Sequence, residues 1–175
     1  MAPPDLPAAD RPGPLVVRRL APEDRAAWDP LWQGYLDFYE HRLDHATTEA
    51  TWARLVGGAD VLSGASDVLS GAADMVGLGA ERDGELVGLC HLVLHPSTWS
   101  TAPYCYLEDL FVAVDERGSG TGAALVAAAG EVAAEAGASK LYWQTHVTNA
   151  TARRLYDRVA EHRGFVVYEV DLGAG

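Results

Sequence analysis

The run Arg117-Gly118-Ser119-Gly120-Thr121-Gly122 separates an apolar, strand-like stretch, Tyr104 to Val114, from an Ala-rich stretch of helical character at 120–136. A strand that passes through a glycine-rich turn straight into a helix constrains this chain more than any other feature. Three glycines let the backbone come close to a ligand, and the first amides of the helix direct their donors, and the positive end of its dipole, at an anion. Arg117 adds a fixed cation beside them. Read alone, the turn establishes an anion-binding helix start. Gly118, Gly120 and Ala123 also satisfy the G-x-G-x-x-A spacing of dinucleotide-binding folds. Those folds place the turn after their first strand and an acid about 20 residues further on. Here the next strand, Lys140 to Gln144, holds no acid, and the Gly-Lys-Ser or Gly-Lys-Thr of a Walker A loop is absent.

The remaining elements follow from periodicity and punctuation. Residues 1–14 hold five of the nine prolines and no hydrophobic period, so a disordered tail is expected there and a single folded domain over 15–175. Leu15 to Leu20 forms a first strand, and Pro22-Glu23-Asp24 suits a helix N-terminus. Trp28, Leu31, Trp32, Tyr35, Leu36 and Tyr39 then recur at spacings of three and four, which gives one broad aromatic helical face. A second helix is expected from Thr47 or Thr48 through Trp52 to Val56. A repeat follows, Asp60-Val61-Leu62-Ser63-Gly64-Ala65-Ser66 and then Asp67-Val68-Leu69-Ser70-Gly71-Ala72-Ala73. Its glycines make 57–74 an expanded surface loop. Met75 to Glu81 and Glu85 to His95 are strands joined at Arg82-Asp83-Gly84, a hairpin signal, and a connection from Pro96 to Pro103 leads to Tyr104–Val114. After the 120–136 helix come a strand from Lys140 to Thr145, a helix from Asn149 to His162 and a last strand from Phe165 to Asp171. The order is β-α-α-β-β-β-α-β-α-β, an α/β (α+β) chain.

Composition removes several function classes. No apolar stretch approaches the roughly 20 residues that span a bilayer. The N-terminus has no basic region followed by an apolar core, so a cytoplasmic location is expected. A formal charge of −12 disfavours nucleic acid and anionic membranes, whose phosphates it would repel, and favours cationic ligands; plain solubility is the alternative reading. Cys90 and Cys105 form neither a disulfide framework nor a metal cage and are read as small core residues. His91 and His95 share a strand face but lie roughly 13 Å apart, too far to share a metal, and read as core or rim histidines. A symmetric hairpin about 96–103 would set His91 opposite Glu108.

Glu108 and Asp109 stand side by side inside the apolar strand, where burial of charge is costly unless the charge is used or paired. Alternation along a strand sends them to opposite faces, so they form one dyad only if a bulge intervenes. A salt bridge or loop anchor is the alternative for each.

The strand Tyr104-Cys105-Tyr106-Leu107-Glu108-Asp109-Leu110-Phe111-Val112, the turn R-G-S-G-T-G, and Asn149 with Tyr156 seven residues later together resemble the GNAT family of N-acetyltransferases. The resemblance covers about residues 85–168 and the order of elements from Leu15. Within the family, E-D-L-F-V and Trp143-Gln144-Thr145 followed by Asn149 resemble the branch that includes histone- and polyamine-acetylating enzymes. The resemblance implies a GNAT fold, with a mixed, mostly antiparallel central sheet flanked by helices. It implies an acyltransferase that moves the acetyl group of acetyl-CoA to a primary amine by direct attack in a ternary complex, without a metal. Backbone groups of Leu110, Phe111 and Val112 would hold the acetyl and pantetheine part of acetyl-CoA, and Arg117, Gly118, Ser119, Gly120, Thr121, Gly122 and Ala123 its pyrophosphate. Asn149 falls where the family has a CoA-side contact, Tyr156 where it has the acid that protonates the leaving thiolate, and Glu108 would be the base, directly or through water. Members are commonly homodimers, which is the assembly expected here.

Those roles are chemically coherent. An amine is mostly protonated at neutral pH and must lose a proton to a carboxylate before attack, and a phenol has an ordinary pKa near 10, suited to a thiolate. Asn149 and Tyr156 lie two helical turns apart, near one face. Asn149 is also a good helix cap, and Tyr156 an ordinary packing residue. Tyr35, Tyr39 and Asp109 are the candidate walls for an acceptor, a small cationic amine or a lysine-bearing molecule, with core packing as the alternative for the tyrosines. Gly164-Phe165 follows Tyr156 by eight residues where members commonly have about four, which implies a longer helix and a displaced last strand. Two other readings stand beside this one: a noncatalytic acyl-CoA-binding module, opposed by the intact Glu108 and Tyr156, and a dinucleotide-binding oxidoreductase.

Overall fold

The computed structural model describes residues 13–57 and 74–173. All but Gly13 and Pro14 of the expected N-terminal tail, and the interior of the expected 57–74 loop, lie outside the described residues. The chain forms two compact units, Met1–Gln144 and Thr145–Gly175. The first carries β1 (Leu15–Arg19), a 3-10 turn (Pro22–Asp24), α1 (Arg25–Phe38), α2 (His45–Gly57), β2 (Asp74–Arg82), β3 (Glu85–Ser97), β4 (Ser100–Val112), a 3-10 turn (Val114–Glu116), α3 (Thr121–Glu135) and β5 (Lys140–Tyr142). The second carries α4 (Ala150–Val159).

The five strands make one sheet in the order β1-β2-β3-β4-β5. The first three pairings are antiparallel and β4–β5 is parallel. Asp83 and Gly84 both take positive φ, 53° and 83°, which is the two-residue turn that an Asp-Gly hairpin requires. The sheet is covered on both sides. Leu89 joins Leu20, Trp28, Leu31, Trp32, Leu36, Trp52 and Leu55 in the cluster beneath α1 and α2. On the opposite parity of β3, the Cα of Gly88 sits so close to α3 that an added Cβ would meet Leu125 at 3.1 Å and Thr121 at 3.3 Å. The bare Cα of Gly34 lets α1 approach β4, since a Cβ there would lie 2.8 Å from the Phe111 ring. The aromatic stripe read from the sequence is thus the packing face of α1, with Trp28 fully buried and stacked on Trp32 at 5.4 Å.

Several expected boundaries differ. The second helix starts at His45, because Asp44 rather than Thr47 or Thr48 caps it, its Oδ1 accepting from Thr47 N at 2.7 Å. β3 and β4 run through most of the expected 96–103 connection and close it at Ser97↔Ser100. β5 ends at Tyr142 rather than Thr145, and α4 ends at Val159, where Ala160 turns extended. The expected strand Phe165–Asp171 is absent: residues 161–172 form no strand, and Phe165, Val166, Val167, Tyr168 and Val170 are exposed. β-branched and aromatic residues favour a strand only where a ladder partner exists, and among the described residues of that unit the only regular element is a helix.

The start of α1 is fixed by Asp24. Its carboxylate takes a two-pronged hydrogen bond from Arg18 at 2.7 and 2.9 Å and accepts from Ala21 N at 2.8 Å. The Arg18 guanidinium holds the Asp24 carboxyl below its ordinary value. The stabilisation is therefore complete above the unfolded pKa, near 3.9, and is lost as pH falls through the lower folded value. Asp24→Ala is expected to destabilise the fold by about 1–2 kcal/mol at pH 7, read by urea unfolding, with the difference from wild type shrinking below about pH 3.

Candidate active site

The ladder between β3 and β4 slips beside His91, apart from an irregularity near its closed end at His95/Ser97. His91 pairs with Asp109 but Leu92 pairs with Leu107, so Glu108 has no partner on β3 and forms a one-residue bulge. Before the slip, alternation puts Tyr104 and Tyr106 on the sheet face of α1, and Glu108 follows them. After it, Asp109 and Phe111 lie on that face, opposite His91 and Leu89. Glu108 and Asp109, adjacent in sequence, therefore share a face. The expected pairing of His91 with Glu108 is corrected to Asp109: the expected register holds from His95↔Tyr104 to Leu92↔Leu107, and the bulge then shifts it by one residue.

Around the two carboxylates stand residues from α1, β3, β4 and β5. Trp28 Nε1–H donates to His91 Nε2 at 3.0 Å, and His91 Nδ1 lies 2.8 Å from Asp109 Oδ2. Tyr35, stacked on Trp32 at 5.3 Å, stands close enough to Asp109 to feel its charge, and Tyr39 packs on Tyr35 at 5.0 Å. Tyr106 packs on Tyr142 at 4.9 Å, and the Tyr142 hydroxyl donates to His95 Nε2 at 2.9 Å, since His95 Nδ1–H donates to the Pro96 carbonyl. Lys140, the only lysine in the chain, lies over the Tyr104 ring at 3.9 Å.

This crowding sets the protonation. Glu108 is solvent-exposed as a residue, yet partial desolvation of its carboxyl, and then the charge of Asp109, raise its pKa above the ordinary glutamate value. Burial and the charge of Asp109 push the Tyr35 phenol up, so it keeps its proton. Tyr106 is pushed up to about 12 by burial and Glu108. Tyr39 and Tyr142 are raised chiefly by burial. The cluster thus holds two carboxylates and protonated phenols, one carboxylate being a stronger base than an ordinary glutamate and open to water.

Beyond Tyr106, β4 loses its second neighbour. β5 pairs only at Tyr104↔Lys140, Cys105↔Leu141 and Tyr106↔Tyr142, and the bulge two residues later bends β4 away from its line. Ala113 N donates to Val87 O at 2.9 Å, so alternation turns the backbone groups of Phe111 toward β3 and those of Leu110 and Val112 toward the open edge. Of the three expected backbone contacts, Leu110 and Val112 thus have groups available, and Arg117 Nε takes the Val112 carbonyl at 3.2 Å. Phe111 instead contributes its ring, between Gly34 and the Arg117 guanidinium.

The turn leading from this edge has Gly118 and Gly120 at φ 86° and 94°, values that L side chains rarely adopt. A Cβ at either would meet nothing within 4 Å. Among the described residues no side chain caps α3, whose first helical bond runs from Ala124 N to Gly120 O at 3.0 Å. Helix geometry leaves the amides of Thr121, Gly122 and Ala123 without intrahelical acceptors. The side chains of Ser119 and Thr121 bond to each other at 2.8 Å, and Ser119 also donates to the Glu116 carbonyl at 2.7 Å, which stiffens the turn.

In the second unit, Asn149 is the N-cap of α4, its Oδ1 accepting from Ala152 N at 3.1 Å and its amide donating to Thr145 at 3.3 Å. Tyr156 is half-buried on the same helix. Sequence reasoning set His91 beside the wrong one of the two carboxylates, and missed Trp28 as the partner of His91 and Tyr106 and Tyr142 as neighbours. The spacing of Tyr104, Tyr106 and Glu108 along one strand face was the available signal for Tyr106.

The family model described as "Acetyltransferase (GNAT) family" matches residues 28–160. The chain is 28% identical over 155 residues to the D-amino-acid N-acetyltransferase HPA3 of Saccharomyces cerevisiae, covering 89% of each. It is 33% identical over 163 residues to the uncharacterized N-acetyltransferase YhfO of Bacillus subtilis, covering 91% of this chain and 99% of that one. The fold is shared with AAC(6')-Iy, solved in complex with the bisubstrate analog CoA-S-monomethyl-acetylneamine. The TM-score is 0.69 at 15% identity, over 91% of this chain and 99% of that one. With a family model spanning most of its length and a five-stranded, mostly antiparallel sheet flanked by helices, this chain belongs to the GNAT family of acetyltransferases.

Proposed function

We propose that the chain transfers the acetyl group of acetyl-CoA to a cationic primary amine, with Glu108 as the base. The observation that carries this is the bulge, which sets an exposed carboxylate of raised pKa on the same face as a second carboxylate and a set of tyrosines, next to an open strand edge.

The donor set at the open edge and turn suits acetyl-CoA. Outward backbone groups at Leu110 and Val112 match the amides of a pantetheine arm. The uncapped start of α3, the glycine backbone of 118–122 and the Arg117 cation match a pyrophosphate. When bound, acetyl-CoA supplies an activated acyl group. The protein's own work is then to orient the amine, remove its proton and direct an acid at the departing thiolate. Glu108, open to water, takes the ammonium proton directly or through one water and returns it to solvent. Tyr156, the tyrosine at the family's position on α4, is the proposed acid, and Asn149, while capping α4, the proposed CoA-side contact. Two carboxylates and aromatic faces suit an ammonium group on the acceptor. HPA3 is named for D-amino acids, and the AAC(6')-Iy ligand is an acetylneamine analogue, so amino acids and aminoglycosides belong in the acceptor panel beside spermidine and a lysine peptide.

The direct test is acceptor-dependent thiol release from acetyl-CoA across that panel. Glu108→Gln is expected to lower kcat by roughly 10²–10⁴-fold with the KM for acetyl-CoA little changed. The wild-type rate should fall on acidification from a pH above the ordinary glutamate range, because a raised pKa means the carboxylate is protonated earlier as pH drops, and the variant should lose that limb. Binding of CoA without acceptor-dependent release would favour a noncatalytic module, and thermal protection by NAD but not CoA would overturn the assignment. Gly120→Ala, which forces an L residue into positive φ at a cost of about 1–2 kcal/mol, is expected to raise the KM for acetyl-CoA about tenfold while leaving the acceptor KM near wild type.

A further inference from the structure

His91 is the one buried histidine among the described residues, at 2% exposure, and the chemistry above gives it no task. Its two ring nitrogens face partners with fixed roles. Trp28 is fully buried, and its indole nitrogen can only donate, so the 3.0 Å contact makes His91 Nε2 the acceptor. The proton then resides on Nδ1 and is donated to Asp109 Oδ2 at 2.8 Å. Tyr35 stands beside the same carboxylate and keeps its proton. Trp28, His91 and Asp109 therefore form a chain in which each donor direction is dictated by the one before it, and a tryptophan buried in the core sets its sense.

We propose that Trp28 and His91 are positioning residues: their hydrogen-bonded chain fixes Asp109 as an acceptor-only carboxylate that receives the ammonium of the acceptor amine beside Glu108. The proposal rests on the acetyltransferase reading above. The Asp109 side chain is 12% exposed, enough for contact, and after accepting from His91 its two oxygens still have lone pairs to offer. Glu108 then acts on an amine already held in place. The groups facing Asp109 are Tyr35 and Tyr39 from α1, His91 from β3, and Tyr106 and Glu108 from β4. None of them is a cation in this arrangement, so the charge of Asp109 remains available to an ammonium.

Two readouts test this independently. In ¹⁵N NMR of the intact protein near pH 7, His91 should show a protonated Nδ1 and a bare Nε2, and Trp28→Phe should shift the Nε2 resonance or admit the other tautomer. A protonated Nε2 in the wild type overturns the chain whatever the enzyme's activity. In kinetics with the best acceptor among spermidine, D-lysine and neamine, His91→Ala should raise the acceptor KM about tenfold, the loss of one charge-assisted hydrogen bond, with kcat within about threefold and the acetyl-CoA KM unchanged. His91→Asn, whose amide can still donate to Asp109, should recover most of that loss. Equal changes in both KM values, or no difference between Ala and Asn, overturn the positioning role. Should the wild type release no thiol with any amine, the acetyltransferase reading falls, and the tautomer result alone decides the chain.

Discussion

One slipped residue in the β3–β4 ladder organises everything around it. Without the bulge at Glu108, strict alternation would send Glu108 and Asp109 to opposite faces of the sheet, one under α1 and one under α3. With it, Leu107 stays in the core opposite Leu92, while both acids turn to the α1 side. The same irregularity bends β4 just after its last pair with β5, which leaves the backbone of Leu110 and Val112 facing an open edge. Basicity at Glu108 and access to the strand edge thus share one structural origin.

Packing holds the slip in place. Trp28, Trp32 and Tyr35 stack along α1 against the sheet face that carries His91 and Asp109, and Gly34 admits the Phe111 ring where a side chain would push α1 away. A charged pair at this depth would be costly in an apolar core. It is tolerated because Asp109 accepts from His91, while Glu108 keeps contact with water and bears its partial desolvation as a raised pKa. Apolar burial fixes the frame, and the hydrogen bond from His91 holds Asp109 while Glu108 stays open to water.

Much of this was legible in the chain itself. The period of Trp28, Leu31, Trp32 and Tyr35 gave the packing face of α1, Asp83-Gly84 gave a hairpin, and the glycines at 118 and 120 gave a turn of positive φ before a helix. The bulge was not legible, because a register slip is decided by which facing side chains pack best, and no local pattern in Tyr106-Leu107-Glu108-Asp109 records that choice. The Trp28–His91 contact spans 63 positions and escaped for the same reason. Asp44 was passed over as a cap for Thr47 and Thr48 because all three residue types suit the role. Phe165–Asp171 looked like a strand because propensity records what a residue tolerates, whereas a strand also needs a partner.

The central claim is that adjacent residues Glu108 and Asp109 share one face and one electrostatic environment. A ¹³C NMR titration of the Glu108 carboxyl, in wild type and in Asp109→Asn, tests it most directly. The midpoint is expected above the ordinary glutamate value of about 4.3 and should move down when the neighbouring charge is removed. A midpoint at or below the ordinary value, unmoved by Asp109→Asn, would put the two carboxylates on separate faces and contradict the account.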